Sequence, residues 1–312
     1  METRAIGSLR VTLCGLGTNN FGMRIDQAQT TAVVNAAIEA GINFFDTADL
    51  YGGGQSEEFL GKALGARRDD VVVATKFGGP LDQDEAHRGG SARWIREACE
   101  GSLRRLGTDR IDLYQFHFPD TTVPIEETLT ALDELVRAGK VREIGNSNFT
   151  GEMIEEADDV SAKLGLARFV SAQNMYNLLN REPEQDVLPG CERRGLAFLP
   201  YFPLASGLLT GKYRRNEPLP EGARLTEYPE NRRKHFLNEH TIDVVEKLEA
   251  FAEEREHTLL DVAMSWLASD PVIASVIAGA TKPEQVRANS VAVGWKLSAA
   301  EKKEIDELTK PA

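Results

Sequence analysis

What most constrains the fold of this chain is an alternation. Short, continuously apolar segments recur every thirty to forty residues or so, and each is followed by a stretch with helical apolar spacing. INFF (42–45), VVVAT (71–75) and LYQF (113–116) are apolar at all but one position each, as strands of a parallel sheet covered on both faces should be. VREIGNS (141–147), RFVSAQ (168–173), LAFLPY (196–201) and VIASVI (272–277) continue the series. Ahead of them, a short hairpin turns at Gly7-Ser8, and VTLCGLG (11–17) reads as one strand. The spacing predicts helices over residues 27–40, 56–64, 91–106, 125–138, 152–163, 184–194, 241–256 and 259–268, with two more starting at Pro283 and Ser298. Ser56, heading Ser-Glu-Glu, is expected to cap its helix. Strand ends at 46, 76, 117 and 145 fall at about one-eighth of a barrel per unit. The expected fold is α/β, a (β/α)8 barrel with an N-terminal β-hairpin and two extra helices. No stretch has linker composition, so residues 1–312 make one domain. Residues 202–240 break the rhythm: rich in Pro, Gly, Arg and Glu, they read as a long loop insertion without a periodic apolar face, suited to a lid or a subunit contact.

Composition narrows the function. A hydrophobic fraction of 41% and a charged fraction of 27% suit a well-cored protein. A net charge of −13 argues against a nucleic-acid partner. No apolar run approaches the ~20 residues of a membrane span, and the N-terminus lacks a signal pattern, so a cytoplasmic protein is expected. Cys14, Cys99 and Cys191 match neither zinc nor disulfide spacing, and Cys14 and Cys99 read as inert core residues.

The chemistry is expected at the strand ends. Asp46 follows INFF, Lys76 ends VVVATK, His117 follows LYQF, and Tyr51 stands one short loop after Asp46. A β/α barrel assembles its active site at these carboxyl ends. Each residue alone reads more often as a satisfied loop or surface group; three consecutive strand ends together point to a site. Tyr51 can donate a proton to a carbonyl oxygen, but a free phenol pKa near ~10 is too high for efficient work at neutral pH. Lys76 is expected to lower it, Asp46 to hold the lysine charged, and His117 to polarise the same oxygen. Nothing in the set supplies an electron pair, so a reduction needs an external hydride donor. The competing reading makes Lys76 a Schiff-base lysine of an aldolase or lyase.

With these residues in view, the sequence resembles the aldo-keto reductase superfamily over nearly its whole length. The resemblance lies in GLGTNNFG (15–22), GINFFDTADLYGGGQSEEFLGKAL (41–64), VVVATKFG (71–78), SLRRLGTDRIDLYQFHFPD (102–120), GNSNF (145–149), PYFPLASGLLTGKY (200–213) and VIAGATKPEQVRAN (276–289). It implies a catalytic tetrad of Asp46, Tyr51, Lys76 and His117 and a hydride from NADP(H), with NAD(H) the other candidate. It also implies cofactor contacts. Gly17, Thr18 and Asn19, with Asp46, would face the nicotinamide ribose, and Ser147, Asn148 and Gln173 the carboxamide. Tyr201 would stack on the nicotinamide ring. Phe202, Leu204, Ser206, Gly207, Leu209 and Lys212 would cross the pyrophosphate. Gly279 and Ala280 would lead into a helix N-terminus where Thr281 and Lys282 meet the 2′-phosphate, and Gln285 and Asn289 would hold the adenosine. GNSNF and AGATKP would have no purpose in an aldolase.

Two positions depart from the family pattern: Phe202 replaces a small polar residue and Ala288 a glutamate. Phe21, Phe77 and Phe118 follow strand ends and are expected to line an apolar substrate mouth. The implied activity is reduction of a small-molecule aldehyde or ketone, reversibly. The family also contains the β subunits of voltage-gated potassium channels, so a redox-sensing regulatory role is the alternative. Substrate and oligomeric state are not legible from the sequence.

Overall fold

In the computed structural model, which describes residues 1–310, strands β1 (Thr3–Ile6) and β2 (Leu9–Thr12) pair antiparallel across Gly7-Ser8. Gly7 takes the left-handed φ of 54° that the tight turn demands. Eight further strands follow: β3 (Cys14–Gly17), β4 (Phe44–Asp46), β5 (Val72–Phe77), β6 (Ile111–Phe116), β7 (Val141–Ser147), β8 (Phe169–Met175), β9 (Ala197–Tyr201) and β10 (Val276–Gly279). They form one parallel sheet in the order β10-β3-β4-β5-β6-β7-β8-β9. The ring closes at Phe198, whose N–H donates to Val272 O at 2.8 Å and whose carbonyl accepts from Ala274 N–H at 3.0 Å. This is the expected (β/α)8 barrel.

Successive side chains of a strand face opposite sides of the sheet, and here the alternation sorts the core into two. Phe44, Val72, Ala74, Leu113, Leu199 and Ile277 fill the barrel interior, where Ile6, Leu9 and Val11 of the hairpin join them as a plug. Phe45, Val73, Phe77, Tyr114 and Phe116 point outward against Val33, Leu60, Ile95, Leu129 and Leu132 of the surrounding helices. Helices Gln27–Glu39, Ala92–Leu106, Ile125–Arg137, Gly151–Leu164, Leu259–Ala268, Pro283–Ala292 and Ala299–Leu308 stand where apolar spacing put them. Among the described residues, no helix is long and apolar enough to cross a membrane. All three cysteines are free and buried, and burial pushes the Cys14 and Cys99 thiols up to about 12, which leaves them unreactive.

Several expectations give way. VTLCGLG is two strands, because the Thr12 hydroxyl donates to Cys14 O at 2.9 Å and the chain turns at Leu13 out of the hairpin into the barrel. Ser56 does not cap its helix, Gln55–Leu64. Its buried hydroxyl instead bonds Thr18 O and meets the Thr18 and Thr47 hydroxyls, all at 2.9 Å, tying together the loops after β3 and β4. The stretch 184–194 divides into a 3-10 turn, Glu182–Glu184, and the helix Val187–Arg194. Residues 202–240 are not structureless: they hold the turns Ala205–Thr210 and Arg224–Glu227, the helix Glu230–Phe236 and the start of Glu239–Glu253. Their buried apolar residues are few and irregularly spaced (Leu208, Leu209, Tyr213, Leu225), so no period shows in the sequence.

Candidate active site

Strand parity assembles the site. Asp46 shares a face with Phe44, Lys76 with Val72 and Ala74, Gln115 with Leu113, and Gln173 with Ser171, so all four side chains enter the barrel interior at its carboxyl end. Lys76, fully buried, donates from Nζ to Asp46 Oδ2 at 2.6 Å, to Thr47 O at 2.9 Å and to the Tyr51 hydroxyl at 3.4 Å. The other Asp46 oxygen, Oδ1, accepts from Gln115 Nε2 at 3.0 Å and Gln173 Nε2 at 2.9 Å. Tyr51 opens a turn whose Gly52, Gly53 and Gly54 all have left-handed φ, letting the chain fold back at once into the helix Gln55–Leu64. At Gly52 a Cβ would come within 3.1 Å of Phe21 O. The rings of Tyr51 and His117 meet edge-on with centroids 5.9 Å apart.

Electrostatics divides the roles. Burial pulls the Lys76 ammonium down, but the Asp46 carboxylate and the Tyr51 phenol outweigh it and leave the pKa raised, so the lysine stays charged. Burial, with the Lys76 charge second, holds His117 well below the usual histidine range; it is a neutral imidazole at neutral pH. The expectation for Tyr51 needs correcting. Lys76 does pull the phenol down, but burial is the larger effect and the net shift is upward.

These groups open onto a cleft of about 530 Å³ that runs from Tyr51 and His117 to Thr281 and Asn289. Gly17, Thr18, Asn19, Asp46, Ser147, Asn148, Gln173, Tyr201, Phe202, Leu204, Ser206, Gly207, Lys212, Gly279, Ala280, Gln285 and Phe118 also line it. Asn148 is held by bonds from its amide to His117 O (2.9 Å) and Ser147 Oγ (3.1 Å), while Tyr201 donates to its Oδ1 at 2.8 Å. Thr150, not Asn148, caps the helix that follows.

Four expected contacts fall elsewhere. Phe77 is fully buried outside the barrel, stacked on Phe116 with centroids 5.0 Å apart, because Lys76 before it takes the inward direction. Phe21 is fully buried beneath the turn that carries it, its N–H bonded to Thr18 O at 2.9 Å. Leu209 is core. Lys282 is exposed at the start of the helix Pro283–Ala292 and lies off the cleft wall. Phe118 alone of the three phenylalanines stands at the mouth, 43% exposed and stacked on His117 at 4.4 Å.

The sequence reading missed Asn20, Arg24, Leu50 and Arg224, all on the cleft wall. Leu50 was legible from its place before Tyr51. Arg24 and Arg224 were not: two hundred residues apart in the chain, they come to the same wall only in the folded protein. Arg24 donates to Gly222 O at 2.9 Å and Glu227 Oε1 at 2.6 Å; Arg224 donates to Asn20 Oδ1 at 2.8 Å and lies 5.6 Å over the Phe202 ring. Among the described residues neither Lys212 nor Arg224 has a carboxylate partner. Burial, then the charges of Arg24 and Arg224, depress Lys212; Glu227 offsets only one of these three cations, so the middle of the cleft is net positive and suited to phosphates. Asn148, Phe202, Ala205 and Ser206 all take left-handed φ without being glycine, which concentrates backbone strain on this wall. The positive centre, the strained wall and the amide-rich end beside Tyr51 fit a nicotinamide dinucleotide.

Comparison with known proteins agrees. A profile described as the Aldo/keto reductase family matches residues 14–310. A probable voltage-gated potassium channel subunit beta from Oryza sativa subsp. japonica is 38% identical over 303 residues, 94% of this chain and 91% of that one. An aldo-keto reductase of Bacillus subtilis (strain 168) is 38% identical over 301 residues, 94% of this chain and 88% of the other. An uncharacterized oxidoreductase of the same organism is 37% identical over 300 residues, covering 92% and 89%.

Proposed function

The chain belongs to the aldo/keto reductase family, and from that premise we propose that it is a single-domain, NADPH-dependent enzyme that reversibly reduces an aldehyde or ketone to an alcohol, with Tyr51 as proton donor. One ammonium carries the reading: Lys76 Nζ lies 2.6 Å from Asp46 Oδ2 and 3.4 Å from the Tyr51 hydroxyl. The bound dinucleotide supplies the hydride that no side chain here can provide.

The protein's part is to position the carbonyl and manage one proton. A carbonyl oxygen gaining charge between Tyr51 and His117 takes the phenol proton, because an alkoxide is far more basic than a phenolate. Lys76 stabilises the phenolate left behind, and Asp46 keeps Lys76 charged despite its burial. Neutral His117 donates a hydrogen bond to the same oxygen without adding charge. Ser147, Asn148 and Gln173 would hold the carboxamide, Tyr201 the ring, and Ser206, Gly207, Lys212 and Arg224 the phosphates. The unpaired cations Lys212 and Arg224 suit the pyrophosphate of either coenzyme, and the preference for NADP(H) over NAD(H) rests on the family likeness, with Thr281 at the far end of the cleft to meet a 2′-phosphate. Phe118 and Leu50 at the mouth favour apolar or aromatic carbonyls. An uncharged small-molecule substrate needs no nucleic-acid or membrane partner.

A panel of aldehydes, ketones and sugars, with NADPH and NADH consumption followed optically, tests activity and coenzyme choice together. Tyr51→Phe is expected to lower kcat at least ~10²-fold while leaving NADPH binding intact; unchanged turnover rejects the assignment. The likeness to a channel β subunit supports a second reading, in which the bound dinucleotide regulates a partner. Very slow turnover across the panel with tight NADPH retention and a stable protein partner would favour it.

A further inference from the structure

Asp49 lies between Asp46 and Tyr51 in the chain and takes no part in the proposed chemistry. Its side chain is fully buried, and among the described residues no side chain hydrogen-bonds either carboxylate oxygen; of the backbone, only the Leu50 N–H lies close enough to favour the charged form. A sealed, unpartnered carboxylate is costly, so the group must hold a proton or the site must strain. Its backbone N–H donates to Lys76 O at 3.2 Å, which fixes it behind the tetrad.

The charged and titratable groups that face it come from every element packed around it. Glu57, on the helix Gln55–Leu64, is itself held by Thr75 Oγ1 at 2.5 Å and Arg105 Nε at 2.6 Å. Lys76 of β5 and Arg105 of the helix Ala92–Leu106 act on Asp49 as the opposing cations. Tyr51 and, from β6, Tyr114 both feel the Asp49 charge, and the Tyr114 hydroxyl is another buried group without a partner.

We propose that Asp49 is a positioning residue for the tetrad, a sealed proton-holding group whose ionisation makes the Tyr51 phenol a weaker acid. Burial first, and the Glu57 charge second, push its carboxyl up to about 8, against the lesser pull of Arg105, the Leu50 backbone N–H and Lys76. At neutral pH it is therefore uncharged and leaves Lys76 free to stabilise a phenolate. Above its midpoint a negative charge appears beside the place where phenolate charge must develop, and proton donation slows. Tyr51 itself is raised above its ordinary value, so its own titration lies at higher pH and is separable.

The inference rests on Tyr51 being the proton donor, but half of its test does not. Carbon NMR of the free protein labelled at aspartate carboxyls is expected to show one carboxyl titrating near pH 8, and that signal should vanish in Asp49→Asn. If every aspartate has titrated by pH 6 or so, in the ordinary carboxylate range, the proposal is overturned whether or not the protein turns out to be a reductase. The other half reads kcat for reduction against pH. In the unaltered protein kcat should fall through the same midpoint that NMR reports, and in Asp49→Asn that inflection should disappear with KM unmoved. A purely structural role would scale the profile without changing its shape. If the variant does not fold, the unaltered protein still decides: an NMR midpoint that kcat does not follow refutes the coupling.

Discussion

Asp46→Asn keeps the shape of a side chain that meets three groups but removes the charge that balances Lys76. The Asp46 and Lys76 side chains are 5% and 0% exposed, and the ammonium's other contacts are a carbonyl and a phenol. Removing one partner of a buried pair typically costs about 3–5 kcal/mol, because the remaining charge is stranded. The cost depends on pH. In the parent, the folded-state pKa of Lys76 lies above its unfolded value, so the pair's contribution is complete below the unfolded value and fades only as pH rises through the folded one. In the variant, burial loses its main opponent and the folded-state pKa falls below the unfolded value. The destabilisation should then be largest at low pH and shrink as pH climbs toward the unfolded lysine value near ~10.4. Urea unfolding of parent and variant at several pH values between neutrality and that limit reads both quantities. With an m-value of about 3 kcal/mol/M or somewhat more, the midpoint near neutrality should drop on the order of 1 M. A difference under about 1 kcal/mol that does not vary with pH would show that the pair is no more than a surface-grade ion pair and refute the argument.

His117, held well below 6.5 by burial and then by Lys76, should remain neutral through mildly acidic pH. The pH profile of kcat for reduction should show no inflection near 6.5, and an inflection there that vanishes in His117→Gln would contradict the assigned state. Because its folded-state pKa is depressed, stability should be lost as pH falls below the unfolded histidine value, and His117→Gln should blunt that loss in acid unfolding. Gly61 lies where a Cβ would come 2.3 Å from Leu106 O and 2.7 Å from Leu106 C, both backbone atoms. Gly61→Ala gains about 1 kcal/mol of helix propensity but must force two helices apart at about 1–3 kcal/mol. A lower Tm is expected, and a rise would show that the helices yield freely.

Much of the architecture was legible because it depends on periodicities that survive in one dimension. The parity of INFF and VVVATK already decided that Asp46 and Lys76 point one way and Phe45 and Phe77 the other. Applied one residue further, that parity would have kept Phe77 out of the mouth. The resemblance identified the family, and three strand ends, with Tyr51 a short loop beyond the first, named the four residues that meet at the candidate site. Local chemistry was less readable: Ser56 looked like a cap, yet its hydroxyl serves two other loops.

What only the tertiary structure decided are the effects that grow with burial and with contacts between distant residues. Burial outweighs Lys76 at the Tyr51 phenol, and no sequence pattern records the degree of desolvation. Arg24 and Arg224 reach the cleft through Gly222, Glu227 and Asn20, contacts that carry no spacing signal. Asp49 carries no signal in the sequence; only packing seals its two oxygens away from every side-chain partner. The chain's own pattern therefore determines which strand-end residues enter the barrel mouth. Their charge states follow from how far packing removes each of them from water, and that is a property of the folded molecule alone.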